Sequence, residues 1–207
     1  MSKTYKSLQR LMWGARTSPV ASSRSLACEP VRQLALMYPS SGRVLMRRRV
    51  AASRFCVVIP DFFHGDPFCV VINNRPLAVW LKDHGTDKGF EDAKSVIDTL
   101  IRIGFSAIGA AGFCWGAKVV TELAKSEFIQ AAVLLHPSFT TVDDIEGVKS
   151  PIAILGAEID NYSPPELVKK FEDILKAKPK VNSYVKIFPK VAHGWVVRYD
   201  ADDEAAA

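Results

Sequence analysis

Apolar positions along this chain have two textures, and the change comes near Val50. Beyond it, short β-branched or small-residue runs alternate with stretches of helical spacing. Phe55-Cys56-Val57-Val58-Ile59 is a continuous apolar run stopped by Pro60, as expected of a strand buried on both faces. Similar runs cover Ala107 to Ala111, Ala131 to Leu135 and Pro151 to Leu155, and Ser183 to Phe188 alternates as a last strand. Between them, Ala93, Val96, Ile97, Leu100 and Ile101 recur at helical spacing within Glu91 to Ile103. Ala117 to Lys125 reads as a second helix. Pro164-Pro165 opens a third, to about Ala177, because proline is tolerated in a first turn. Residues 74–90 read as irregular, and the stretch around Asp143, Asp144 and Glu146 as a loop. Strands alternating with helices imply an α/β fold, a mostly parallel sheet with helices on both faces.

Residues 1–49 do not share this pattern. Their apolar patches, Leu34-Ala35-Leu36-Met37 and Val44-Leu45-Met46, are short. Residues 1–50 hold eight serines and ten Lys/Arg against one acid, Glu29, so they carry the basicity of a chain whose net charge is +5. The remainder is mildly acidic, which gives no reason to expect nucleic acid as a partner. Such a leader is expected to be poorly ordered. Its composition also suits a transit peptide, the organellar alternative to a cytoplasmic location. No apolar run is long enough for a membrane span. The four cysteines show no metal-finger spacing, so no metal site is expected. Cys56 and Cys69 read as reduced core thiols.

Chemistry concentrates where strands end, the place where ligands bind in open α/β sheets. Gly112-Phe113-Cys114-Trp115-Gly116 stands between the Ala107 run and the Ala117 helix, the strand, sharp turn and helix of a nucleophile elbow. There a thiol meets the unpaired amides and dipole of a helix N-terminus, which favour thiolate. Asp160 and His193 each follow a later strand, 46 and then 33 residues on, in the order nucleophile, acid, histidine. Cys114 would attack an acyl carbon, His193 would move the proton, and Asp160 would orient the imidazole. The amide of Trp115 would supply one oxyanion-hole donor. Glu158 competes with Asp160 for the acid. Arg198 and Trp195 are candidates for holding substrate, against the blander roles of a solvated arginine and a packing ring. His64 and His136 also lie near strand ends, without a partner at metal-ligand spacing.

Four stretches carry a resemblance to a known family. They are Pro60-Asp61-Phe62-Phe63-His64-Gly65-Asp66-Pro67, Ala111 to Ala117 around Cys114, Leu155 to Asp160, and Ala192-His193-Gly194-Trp195. Together they make residues 50–207 resemble the plant-like branch of the dienelactone hydrolase family. The resemblance implies an α/β-hydrolase fold and a Cys-His-Asp triad that carries over onto Cys114, His193 and Asp160. It also implies cofactor-free hydrolysis of small lactones or esters through an acyl-enzyme. Family members have strands, a helix and a second oxyanion donor ahead of the Phe55 strand, and a final helix. Neither is recognisable here, so the fold is expected to be incomplete at both ends. The same facts admit a weak or inactive member acting as a binding module. More distantly, some plant-like members carry a β-glucanase name.

Overall fold

The computed structural model describes residues 33–37, 55–68 and 75–196. Six strands form one sheet: β1 (Gln33–Met37), β2 (Cys56–Val58), β3 (Ala107–Cys114), β4 (Ala131–Pro137), β5 (Ile152–Ile159) and β6 (Ser183–Ala192). Their order across the sheet is β2-β1-β3-β4-β5-β6, and every neighbouring pair is parallel. Five helices accompany them: α1 (Leu77–Asp83), α2 (Thr86–Arg102), α3 (Trp115–Ala124), α4 (Val142–Gly147) and α5 (Pro165–Lys176).

The runs that predicted strands do so because both sheet faces are covered. All seven residues of β4 are buried, as an inner strand of a parallel sheet requires. Alternate side chains point to opposite faces and feed two separate cores. On one face Ile108, Ala110, Leu134, Ile152 and Ile154 meet Ile97 of α2, Val119 and Leu123 of α3, and Val168, Phe171 and Leu175 of α5. On the other, Phe113, Val133, Leu135, Ala153 and Leu155 pack with Val57, Tyr184 and Phe188. The sequence led to helices over both faces. Among the described residues the helices contribute to the first core only.

Three readings of the sequence change. Residues 1–49 are not wholly separate from the sheet, because Leu34 to Leu36 pair with Cys56 to Val58 and Gln33 to Met37 pair with Ala107 to Ala111. The Phe55 strand therefore has a partner, and the slot between it and β3 is filled from the basic segment. The stretch read as irregular holds regular structure over its described residues 75–90: α1 and the first turn of α2 lie there. The acidic loop is helix α4, closed by a capping box in which Thr141 accepts from the Asp144 amide and Asp144 accepts from the Thr141 amide. Such a cap contributes about 1 kcal/mol. The last two strands also run further than their apolar runs suggest. As a result Asp160 and His193 each come immediately after a strand.

Candidate active site

Parallel strands set their carboxyl ends on one edge, so the ends of β3, β4, β5 and β6 bring Cys114, Ser138, Asp160 and His193 to a common place. The elbow is built by two features of the chain. Cys114 takes φ 51°, ψ −113° as it leaves β3 and enters α3, a left-handed conformation that a residue with a Cβ adopts only where surroundings enforce it. Gly112 makes the turn possible. A Cβ there would stand 2.3 Å from the Gly116 carbonyl oxygen and 2.6 Å from the Ala117 nitrogen. Backbone atoms cannot yield to such a contact, so only glycine fits.

His193 and Asp160 are in direct contact, with Nδ1 of the ring 2.7 Å from Oδ2 of the carboxylate. The aspartate side chain is fully buried and the imidazole 11% exposed. Oδ1 of Asp160 accepts the backbone N–H of Tyr162 at 2.8 Å and of Ser163 at 3.1 Å, which fixes the carboxylate from behind. Burial works against charge on Asp160, but His193 and these two amides outweigh it and hold its carboxyl below the usual range. Burial likewise opposes charge on His193. The hydrogen bond to Asp160 and the nearby Cys114 sulfur prevail, and its pKa is pushed up to about 9.

Nε2 of His193 is buried and has no partner at hydrogen-bond geometry. Cys114 is nonetheless its neighbour, and each of the two favours the charged form of the other. Burial raises the thiol's pKa, but His193, the Ser138 hydroxyl and the Trp115 amide reverse the balance and lower it. The lowered thiol and the raised imidazole thus favour one another's charged forms.

The remaining candidates separate. The Trp115 amide lies at the sulfur, while its ring turns into the core, where Nε1 donates to the His84 carbonyl at 2.9 Å and Phe63 packs edge-on. Trp195 lies beside Phe188, with ring centroids 4.5 Å apart. Arg198 and Cys69 fall outside the described residues. Glu158 accepts the Lys190 amide at 2.6 Å and is not the histidine's partner. His64 meets Asp92 at 3.3 Å, and His136 presents its ring to His193 at 4.8 Å between centroids. Among the described residues no group of three or more His, Cys, Asp or Glu side chains could hold a metal ion. No described helix is long and apolar enough to cross a membrane.

Two neighbours went unnoticed in the sequence. Ser138 places Oγ 3.3 Å from Sγ of Cys114, and Tyr162 tilts its ring over His193 at 4.8 Å. The signal for Ser138 was available. It follows immediately on the strand after the elbow strand, and consecutive strands of such a sheet are usually neighbours.

Known proteins share this architecture. A putative dienelactone hydrolase from Klebsiella pneumoniae superposes with a TM-score of 0.68 at 20% identity, over 87% of this chain and 83% of its own. Among sequences, a maize protein named endo-1,3;1,4-beta-D-glucanase is 37% identical over 64% of this chain and 43% of its own length. A carboxymethylenebutenolidase homolog from Xenopus tropicalis is 31% identical over 74% of this chain and 63% of its own. The hydrolase pyvD of Aspergillus violaceofuscus is 31% identical over 72% of this chain and 62% of its own. The chain thus spans less than two thirds of the length of these three relatives. The profile of the dienelactone hydrolase family matches residues 41–207, and the chain belongs to that family.

Proposed function

We propose that this protein hydrolyses small lactones or esters, with Cys114 as nucleophile, His193 as proton carrier and Asp160 as the group that orients it. The observation that carries the reading is the buried 2.7 Å contact between His193 and Asp160 beside a cysteine on a strained elbow. The raised pKa of His193 sets the order of events. The Cys114 thiolate attacks the acyl carbon directly, and the carbonyl electrons move onto oxygen toward the Trp115 amide. As the tetrahedral species collapses, imidazolium gives its proton to the departing alkoxide, leaving a thioester and neutral imidazole. Imidazole then takes a proton from water, hydroxide adds to the thioester, and the thiolate leaves beside a restored imidazolium. The sequence calls for no cofactor.

The name of the maize relative raises glycoside hydrolysis as a second reading. That chemistry needs two carboxyl groups facing one another across a sugar. Here Asp160 is committed to His193, and Glu158 turns to the Lys190 amide. The thiol has no place in such a reaction, so ester hydrolysis is preferred.

The test is a burst titration with an ester that releases a chromophore. A burst equal to the protein concentration, absent in Cys114→Ala, is expected from an acyl-enzyme on this cysteine. Hydrolysis that survives Cys114→Ala would overturn the reading.

A further inference from the structure

Ser138 is wholly buried, and its hydroxyl oxygen lies 3.3 Å from Sγ of Cys114. The position is fixed by the backbone. The Ser138 N–H donates to the Cys114 carbonyl at 3.1 Å, tying the end of β4 to the elbow. On either side the chain is held at positive φ, 37° at His136 and 61° at Phe139. Neither is glycine, and two such residues within four positions mark a segment whose strain is sustained by its surroundings. A serine hydroxyl rotates freely, so at this distance it can donate to a thiolate or accept from a thiol.

We propose that Ser138 is a further catalytic residue, whose hydroxyl donates a hydrogen bond to the Cys114 thiolate and holds the charged sulfur in place at the elbow. The proposal rests on Cys114 being the nucleophile. Other groups also act on the sulfur. The His193 imidazole approaches it from the end of β6 with Asp160 behind, and the Trp115 amide reaches it from α3. The rings of His136 and Tyr162 border His193. Beside the Trp115 amide, Ser138 is a neutral side-chain donor that can steer a thiolate without competing for the proton His193 must carry. A hydrogen bond to a thiolate has two opposed effects: it increases the fraction ionised and blunts the nucleophilicity of what is ionised.

These effects separate in a pH profile. The full chain is treated with iodoacetamide between pH 4 and 10, and modification of Cys114 is followed by peptide mass. Ser138→Ala and Ser138→Gly both delete the hydroxyl, while Ser138→Thr keeps it. Losing one hydrogen bond to a charged atom is expected to raise the midpoint by about one pH unit. Well below the midpoint the rate falls about three- to fourfold, and on the alkaline plateau it rises about threefold, because a more basic thiolate is the better nucleophile. Ser138→Thr is expected to follow the native profile. An unchanged midpoint in the hydroxyl-less chains overturns the proposal, as does a rate lowered by one factor at every pH, which is the mark of a purely structural residue. Alkylation needs no ester substrate. A shifted midpoint in a chain with no turnover would therefore defeat the hydrolase reading and leave the Ser138 hydrogen bond standing.

Discussion

Two histidine–carboxylate contacts in this protein are nearly equal in length, 2.7 Å for His193–Asp160 and 2.8 Å for His84–Asp66. They differ in everything around the bond. Asp160 has a fully buried side chain whose one cationic partner among the described residues is His193, and two backbone amides hold it. Asp66 is 44% exposed and divides itself between Arg75, at 2.7 Å, and His84. The Arg75 guanidinium, with His84 beside it, holds the Asp66 carboxyl below its ordinary range. The rings are used differently too. His193 bonds its aspartate through Nδ1 and leaves Nε2 for the thiol. His84 spends Nε2 on Asp66 and lies against Trp80, 4.4 Å away between centroids. Under the proposed function, a histidine–aspartate pair serves catalysis when the acid serves one base and the far nitrogen of that base faces something reactive. The His84 pair anchors α1 to the loop after β2.

The sharpest way to break this contrast is to remove the rings. His193→Ala is expected to lower kcat/KM for a chromogenic ester by about a thousandfold or more. Asp160→Asn keeps the imidazole but loosens it, so a loss of about ten- to a hundredfold is expected, less than where a serine must be activated. Steady-state rates on the two variants check the order, and equal, negligible effects would remove both residues from the mechanism. Asp66→Asn should leave kcat/KM within about twofold, since it touches no reacting group. Its effect should appear as a lower melting temperature.

A pH series sharpens the comparison further. His193 binds its proton more tightly folded than unfolded, with a pKa raised from 6.5 to about 9. Its contribution to stability is therefore complete below about pH 6.5, declines as pH rises through 9, and is gone above. Urea midpoints of the native chain and of His193→Gln should converge over that window. The gap between native and Asp66→Asn should persist there, because the Asp66 carboxyl is already ionised throughout. A native-to-His193→Gln gap that stays constant from pH 6 to 10 would mean the imidazolium is not held as described.

How much of this could be read beforehand depended on how local each determinant is. The elbow was legible because Gly112 and Gly116 bracket the turn they permit. Asp160 and His193 were legible because strand ends follow from apolar runs. Helix α1 and the start of α2 were not. Pro76 and Gly85, the residues preceding them, offer no side-chain cap. Helix α4 was missed for a related reason: its capping box uses Asp144, where the recognisable pattern has Glu or Gln. That Ser138 follows the strand beside the elbow strand could be read from the order of apolar runs, but its distance from Cys114 could not, because no pattern along the chain encodes a distance between side chains. β1 lay within a segment whose charge and serine content pointed away from a sheet. Pairing with β2 and β3 overrode composition there.

The place of β1 bears on how the chain assembles. It is the earliest described strand to be synthesised, yet it sits inside the sheet and must wait for Ala107 to Ala111 before its second ladder can close. β2 is bonded to the sheet through β1 alone among the described strands. Parallel pairings over such long separations are slow to form. Until β3 is made, β1 and β2 have, among the described strands, one another alone to pair with. Once β3 is made, and before its ladder with β1 has closed, a β1 from a second copy competes for the same place beside it. Nascent chains held close together on one message would therefore be exposed to strand exchange, and the elbow strand is where the exchanged segment would lodge.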